Sequence, residues 1–475
     1  MRNIIHVVLI SLLVLSSKVQ LNAQEALPEN NNSKMEWWKD ARFGLFVHWG
    51  LYSVAAGDWK GYSYKGNEHF MLYERIPWKE YSDSLATKLN PTKFNAETWI
   101  KAVKGAGMKY IVVTAKHHEG FAMYNSPSSD YNIVKASPYH KDPMKELAAA
   151  CKKYDIKLCF YYSLGRDWQD PDVPTNWPTK GGRSNTWDYP NEDEKVFDKY
   201  FRRKVIPQVT ELLTQYGPIG VLWFDTPELI AADESKELRT LINKLQPNCI
   251  INQRIGNGQG DFDVSEQKLG KDSVAVIKPW ESCITISKGW GYNRHDSAFK
   301  SPEVLVRNLI EVASASGNLL LNVGPNGEGE IPKKSLDRLT AVGKWMSING
   351  EAIYGTHAWK VQGEKTTAEK VSEKEKLSAN TMKDALNDAT SQKTPADIRF
   401  TTKGNVVYVF ARSWNEATVK VQSLGTNKAN GTVQAVELLG YKGKINWKQE
   451  ADALMVDIPA NINQEIKVYT YKVTL

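Results

Sequence analysis

Residues 219–227, with the sequence IGVLWFDTP, decide how the rest of this chain folds. A continuous apolar run of this length predicts a strand of a parallel sheet that is buried on both faces. The run ends in one carboxylate, Asp225. Burying an unpaired carboxylate is costly, and the carboxyl ends of parallel strands carry the reacting groups of α/β enzymes. Asp225 is therefore a candidate catalytic residue; the alternative is that it caps the following helix.

Similar apolar runs alternate with amphipathic segments over residues 37–356. The predicted strands span residues 43–49, 110–114, 158–162, 221–225, 250–254 and 319–323, and the predicted helices span residues 96–104, 144–154, 199–216, 235–245 and 302–315. Regular alternation over this length predicts an irregular (β/α) TIM-like barrel rather than an open sheet. No eighth strand is visible, and no G-x-G-x-x-G follows the first strand, which argues against dinucleotide binding.

Each predicted strand except the last is followed by side chains that can do chemistry. These are His48, Lys116, His117, His118, Tyr161, Tyr162, Asp225 and Arg254. Each of them alone is commonly structural, but the carboxyl ends of parallel strands meet at one face of a barrel. The set therefore predicts one site.

Composition narrows the possible partners. The formal net charge is +7, but the basic residues are interleaved with acidic ones, so nucleic acid is not an expected partner. The chain contains 16 Trp and 21 Tyr, which weakly favours carbohydrate binding because aromatic faces stack on sugar rings. Four cysteines without a C-x-x-C pair predict buried free thiols rather than disulfides or a zinc site.

The two ends of the chain predict an export signal and a second domain. Residues 1–23 have a basic start, an apolar centre and a small-residue exit, which predicts a signal peptide and export to the periplasm or the extracellular space. No other apolar run could span a membrane. We expect a catalytic barrel over residues 24–358. Residues 359–475 should then form an antiparallel β-sandwich, with a polar loop or insertion near 364–396. The sandwich could bind sugar or simply cover the barrel.

Two carboxylates in a pocket with no metal signature would favour glycoside hydrolysis, in which one acts as nucleophile and the other as acid/base. A metal site would have to use His48, His117, His118 and Asp225, and their spacing matches no metal motif. In addition, neighbouring side chains such as His117 and His118 at a strand end should point to opposite sides. The sequence therefore predicts neither a metal nor a cofactor.

Seven motifs, in order along residues 35–356, resemble the α-L-fucosidases of glycoside hydrolase family 29. They are FGLFVHWG, YIVVTAKHHEGFAMYNS, FYYS, VLWFDT, NQRIGNGQGDFDVSEQ, PWESCITISKGWGYN and GNLLLNVGPNGEGEI. The resemblance implies a barrel followed by a β-sandwich. It also implies hydrolysis of terminal α-L-fucosides on fucosylated glycans, with net retention through a covalent fucosyl-enzyme.

The resemblance also implies roles for individual residues. Asp225 matches the nucleophile. The positions that match those surrounding the fucose are His48, His117, His118, Tyr161, Trp223 and Arg254. The position of the acid/base varies within the family. Glu266 is favoured, because an acid on a loop can reach the leaving oxygen from outside the sugar pocket. Glu281 is the alternative acid/base, or else it supports the residues around the sugar.

Two other functions stay open at this stage. One is a fucose-binding protein without catalytic activity, which the presence of Asp225 and both candidate acids disfavours. The other is a hydrolase of a different deoxy or galacto sugar. The sequence leaves open the linkage, the aglycone and the oligomeric state.

Overall fold

The computed structural model describes residues 33–64, 66–174, 184–270, 278–365, 397–412, 414, 416–428, 430–462 and 464–475. The predicted signal peptide at 1–23 lies outside the described residues, as does nearly all of the predicted insertion at 364–396.

Eight parallel strands form the first part of the described chain. They are β1 (Phe43–Val47), β2 (Tyr110–Lys116), β3 (Lys157–Ser163), β4 (Val221–Asp225), β5 (Ile250–Ile251), β6 (Asp263–Glu266), β7 (Trp280–Thr285) and β8 (Asn318–Val323). Their order is β5-β4-β3-β2-β1-β8-β7-β6. The end strands meet through Asp261 N to Ile251 O (2.7 Å) and Gln253 N to Phe262 O (2.8 Å). The predicted TIM-like barrel is confirmed, and this short closure makes it irregular.

The strand predictions succeed where the residues are apolar and fail where they are polar. The strand predicted at 250–254 is wrong beyond Ile251, because a 3₁₀ turn, Gln253–Ile255, follows it. Strands β6 and β7 were not predicted. The β6 sequence, DVSE, is short and only partly buried, and β7 carries Glu281 and Ser282. When polar residues point into a barrel, they interrupt the apolar run by which a buried strand is recognised in the sequence.

Helices pack around the barrel close to the predicted positions. The longer ones are Trp78–Leu85, Ala96–Gly105, Pro143–Tyr154, Ile206–Gln215, Ala232–Leu245, Pro302–Ser314 and Lys333–Asn349. The single helix predicted at 199–216 is interrupted by a π-helical turn, Phe201–Val205. Pro207 explains the interruption, because proline has no N–H to donate to the preceding turn. Helix Lys333–Asn349 was not predicted.

The last part of the described chain is an antiparallel β-sandwich, as predicted. Its strands are β9 (His357–Lys365), β10 (Asp397–Lys403), β11 (Val406–Arg412), β12 (Thr418–Val421), β13 (Ala435–Leu438), β14 (Trp447–Gln449), β15 (Leu454–Asp457) and β16 (Val468–Thr474). They form one sheet in the order β9-β10-β11-β16-β13 and another in the order β12-β15-β14. Apolar residues from both sheets share one core, which includes Phe400, Val409, Val419 and Val456.

Buried and partly buried charges join the sandwich to the barrel. Glu311 of helix Pro302–Ser314 accepts hydrogen bonds from Arg399 (2.9 Å) and lies 3.0 Å from Arg412. Desolvated charges are stable only when paired in this way. The interface therefore places the sandwich on the outer helices, away from the carboxyl ends of the barrel strands. Cys151, Cys159, Cys249 and Cys283 are buried free thiols, as predicted. No helix in the described ranges is long and apolar enough to cross a membrane.

Candidate active site

Asp225, the last residue of β4, lies at the centre of the site. Its side chain is 16% exposed. Its Oδ2 accepts a hydrogen bond from the Tyr161 hydroxyl (2.8 Å), and its Oδ1 accepts one from the Thr226 N–H (2.9 Å). The helix-cap alternative is wrong, because the next helix begins seven residues later, at Ala232, and its N-cap residue is Ala231. The carboxylate therefore faces the pocket rather than a helix end.

Arg254 connects two of the candidate carboxylates. Its Nη1 donates to Asp225 Oδ1 and its Nη2 donates to Glu266 Oε2, both at 2.6 Å. Burial alone would raise the pKa of Asp225, but the charge of Arg254 and the hydrogen bond from Tyr161 hold it below its usual value. Asp225 is therefore ionised at neutral pH. Its Oδ2 accepts fewer hydrogen bonds than Oδ1 and keeps a lone pair for reaction.

Glu266 lies at the open edge of the same pocket. It is the last residue of β6 rather than a loop residue, which corrects the prediction, and its side chain is 41% exposed. Arg254 was predicted at a strand end and lies instead in the 3₁₀ turn after β5. In these positions the side chains of Arg254 and Glu266 both lie at the carboxyl face of the barrel, where Asp225 also lies.

Three buried histidines surround the carboxylate of Asp225. Burial lowers the pKa of His48 and of His117 to about 3, and that of His118 well below its usual value. All three are therefore neutral at physiological pH, and each ring offers one donor and one acceptor. His118 Nε2 lies 3.7 Å from Asp225 Oδ2.

Neighbouring groups set the orientation of two of these rings. Asn322 Nδ2 donates to the Trp290 carbonyl (2.8 Å), so its Oδ1 accepts from His48 Nδ1 at 2.7 Å. Ser163 Oγ donates to a backbone carbonyl and therefore accepts from His118 Nδ1 at 2.6 Å. In both rings Nε2 then remains as an acceptor for a ligand hydroxyl.

His117 and His118 lie side by side, which corrects the prediction that they point to opposite sides. Their ring centroids are 4.2 Å apart. Strand β2 ends at Lys116, so the alternation of side chains does not continue through these two residues. In the described ranges, no group of three or more His, Cys, Asp or Glu side chains is arranged to hold a metal ion.

Aromatic rings form the apolar part of the pocket. Tyr161 stacks on Trp223 at 5.5 Å between centroids, and Phe46 lies 5.1 Å from Trp223. The Arg254 guanidinium lies 5.1 Å from the Trp223 ring centroid. Trp290 packs on His48 at 5.0 Å. A neutral ligand with one apolar side and several hydroxyls would be complementary to this lining.

Glu281 lies in a different layer of the barrel. It is 1% exposed, and its two oxygens accept hydrogen bonds from the Tyr110 hydroxyl (2.7 Å) and from Trp223 Nε1 (2.9 Å). In the register of the sheet, Glu281 lies opposite Asn318, the first residue of β8, and is therefore near the amino ends of the strands. Burial raises its pKa to about 7. Glu281 therefore supports Trp223 from below and does not line the pocket.

Two strand-end residues named in the sequence analysis point away from the site. Lys116 donates to Asp167 Oδ2 (3.0 Å) and to the Tyr200 hydroxyl (2.7 Å) between the barrel and its helices. The Tyr162 hydroxyl donates to Gln208 (2.8 Å) on the same outer side. Alternation of side chains along β3 accounts for Tyr162, since Tyr161 points inward and Tyr162 outward. For Lys116 the cause is an irregularity in β2, whose register shifts between Thr114 and Lys116.

Sequence reasoning missed Glu68, His69 and Trp290. The His69 ring lies 5.2 Å from that of His118, and its Nδ1 is 3.0 Å from Glu68 Oε1. Burial alone would raise the pKa of Glu68, but the hydrogen bond and charge of His69 lower it to about 2. These residues come from connections without a strand pattern, so only the motif containing Trp290 carried a signal.

The comparisons with known proteins agree with this geometry. A family model described as "Alpha-L-fucosidase" matches residues 13–351, and one described as "Alpha-L-fucosidase C-terminal domain" matches residues 390–474. The tissue alpha-L-fucosidase of Rattus norvegicus is 30% identical over 446 residues, which are 89% of this chain and 85% of that protein.

Solved structures extend the similarity to the fold. Alpha-L-fucosidase isoenzyme 1 from Paenibacillus thiaminolyticus has a TM-score of 0.77 at 33% identity and covers 94% of this chain and 99% of its own. Alpha-L-fucosidase AlfC from Lactobacillus casei, solved with α-L-fucose product, has a TM-score of 0.63 at 37% identity and covers 67% of this chain and all of its own. The chain therefore belongs to the α-L-fucosidases of glycoside hydrolase family 29 and is a glycoside hydrolase.

Proposed function

We propose that the protein is a retaining exo-α-L-fucosidase that releases terminal α-L-fucose from fucosylated glycans. In the first step, Asp225 attacks C1 of the fucose while the bond from C1 to the leaving oxygen breaks and Glu266 donates a proton to that oxygen. In the second step, Glu266 takes a proton from water, the water oxygen attacks C1, and the bond to Asp225 breaks. Two inversions give net retention.

The bridging position of Arg254 is the observation that supports this pair of residues most directly. One guanidinium holds Asp225 and Glu266 on its two neighbouring amino groups, at 2.6 Å each. Such a fork fixes two carboxylates close together and in one plane. We expect the two carboxyls to lie roughly 5 to 6 Å apart when substrate is bound, the separation used for retention.

Exposure favours Glu266 over Glu281 as the acid/base. A general acid must reach the leaving oxygen, and Glu266 faces the open edge of the pocket. Glu281 has a raised pKa, a property common in catalytic acids, but both of its oxygens are occupied beneath Trp223. In our proposal Glu281 orients Trp223, and its raised pKa results from enclosure alone.

Fucose fits the chemistry of the remaining side chains. It is neutral and carries hydroxyls on one side and a methyl group on the other. The neutral imidazoles of His48, His117 and His118 would bind the hydroxyls, and Trp223 or Trp290 would contact the methyl group. The similar Lactobacillus casei enzyme was solved in complex with α-L-fucose product, which supports fucose as the ligand of this pocket.

An activity and stereochemistry experiment tests the proposal. The purified protein should hydrolyse an aryl α-L-fucoside and a fucosylated oligosaccharide, and not the matching α-galactoside or β-fucoside. NMR taken before mutarotation should show α-L-fucose as the first product. First-formed β-fucose would contradict the covalent mechanism, and absence of turnover on every fucoside would contradict the proposed function as a whole.

We also propose that residues 1–23 direct export of the protein to the periplasm or the extracellular space. The support is the basic start, the apolar centre and the exit at Ala23. Amino-terminal sequencing of the protein recovered from its native compartment should begin after Ala23. Recovery of an unprocessed chain from the cytoplasm would contradict this proposal.

A further inference from the structure

An open cleft of about 590 Å³ begins where the fucose pocket ends. Glu68, His69, Trp290 and Glu266 line the cleft, whereas Asp225 does not. Three of them also contact residues of the fucose pocket: Trp290 packs on His48, His69 lies beside His118, and Glu266 accepts from Arg254. The volume lies within the range of small-molecule sites in proteins. Because Glu266 is the proposed proton donor to the leaving oxygen, the group that departs with that oxygen must occupy this side of the pocket.

Tyr73 is the exposed aromatic residue of this cleft. The residue is 59% exposed and belongs to the helical turn Phe70–Tyr73. The ring packs so closely over Gly66 that a Cβ at that position would overlap it. The ring is thus held in place by its own loop while one face stays open to solvent.

A row of rings leads from the nucleophile to Tyr73. His118 lies 3.7 Å from Asp225 Oδ2, the ring of His69 lies 5.2 Å from that of His118, and the Tyr73 ring lies 5.9 Å from that of His69. Tyr73 is therefore the third ring of the row, counted from His118 beside the proposed nucleophile, with His69 between them. This position is suited to the sugar unit next to a bound fucose.

The rest of the cleft supplies polar groups. Residues 288–298 bring Lys288, Asn293 and His295 to it, and Gln267 follows the proposed acid. A pyranose ring has an apolar face and a rim of hydroxyls, so it can stack on an aromatic ring while its hydroxyls bond to amides and amines.

We propose that Tyr73 is the stacking platform for the sugar ring to which fucose is attached, and that it determines the preference for oligosaccharide leaving groups. The proposal rests on the proposed fucosidase activity, since it assigns the leaving-group side of that same site. It gives Tyr73 a role in choosing the substrate and no part in bond breaking.

Two substrates separate the leaving-group side from the fucose side. In α-L-fucosyl fluoride the leaving group is one atom and cannot reach Tyr73. In a fucosyl disaccharide, chosen as the linkage that the wild-type protein cleaves fastest, the leaving sugar would lie on the ring. Tyr73→Ala should lower kcat/KM for the disaccharide about tenfold and leave that for the fluoride unchanged.

Two further variants make the result interpretable. Tyr73→Phe keeps the ring and should behave like the wild type. Tyr62→Ala removes another exposed tyrosine, 46% exposed, that does not line the cleft, and should change neither substrate. Thermal unfolding of each variant shows whether the fold is intact.

The outcomes distinguish this inference from the proposed function. Equal losses on both substrates with Tyr73→Ala, or a Tyr73→Phe variant as impaired as Tyr73→Ala, would overturn the role of Tyr73. Wild-type turnover of the fluoride without turnover of any disaccharide would overturn it as well. Failure of the wild-type protein to hydrolyse even the fluoride would instead overturn the fucosidase proposal.

Discussion

The two ends of the barrel hold acidic side chains in opposite ways. At the carboxyl end, Asp225 is paired with Arg254 and its pKa is held below its usual value. Toward the amino end, Glu281 is enclosed by the neutral donors Tyr110 and Trp223, and burial raises its pKa to about 7. A nearby cation keeps one carboxylate ionised and reactive, whereas neutral hydrogen bonds only partly compensate the other for burial. A raised pKa alone therefore does not identify a catalytic acid.

The largest expected effect is at the carboxyl end. Asp225→Ala should lower kcat by roughly four to six powers of ten, because no other carboxylate in the described pocket can replace the nucleophile. Azide should partly restore turnover of an aryl fucoside and give β-fucosyl azide. Circular dichroism serves as the folding control. Near-normal activity of a folded variant would mean that Asp225 has been misassigned.

Glu266 and Glu281 provide the next test, because only one of them can be the acid/base. Glu266→Ala should lower kcat/KM on a natural glycan by about 10²- to 10⁴-fold, since its leaving oxygen is basic and needs a proton. The first step with a nitrophenyl fucoside should be spared, and azide should give α-fucosyl azide through the covalent intermediate.

Glu281→Ala is the matched comparison for that experiment, and it should show no azide rescue. Rescue with α-fucosyl azide in the Glu281 variant, and none in the Glu266 variant, would exchange the two roles. It would also mean that the enclosed layer near the amino end opens during catalysis.

Arg254 links the two proposed catalytic carboxylates, and its removal should change the titration of Asp225. Arg254→Gln removes the charge that lowers the pKa of Asp225, so that pKa should rise. The acid limb of the kcat/KM profile should then move to higher pH, and activity at neutral pH should fall about a hundredfold. An acid limb that stays in place would show that Asp225 does not govern it.

The smallest effect on activity is expected at Glu281, where stability should change instead. Its ordinary pKa of 4.5 rises to about 7 in the folded protein, so the folded state holds this proton more tightly than the unfolded chain. Stability should therefore decline as pH rises from 4.5 to about 7 and then level off.

Glu281→Gln removes that titration while keeping the shape of the side chain. The free energy of unfolding of the variant, relative to wild type, should rise by roughly 1 to 3 kcal/mol across this pH range. Urea unfolding at several pH values measures it. A difference that is flat with pH would show that Glu281 titrates alike in both states.

Local pattern was sufficient for the parts of the fold that consist of apolar strands. The run ending at Asp225 determined a buried parallel strand, and similar runs determined β1, β2, β3 and β8, because a strand buried on both faces must be apolar along its length. The position of His48, Tyr161 and Asp225 after such strands also predicted one face for the site. The roles proposed for these residues came from the motifs of the family rather than from periodicity.

Tertiary structure decided what depends on where strands stop and on what lies across the barrel. His117 and His118 meet because β2 ends at Lys116, and Arg254 reaches two carboxylates because β5 is only two residues long. Glu266 and Glu281 lie 15 residues apart in the chain, and local sequence pattern does not show which of them is exposed. Glu266 ends its strand at the open face, while Glu281 lies two residues below the partner of Glu266 in β7. Local sequence cannot encode this difference, because burial and charge at a position depend on neighbours that only folding brings together.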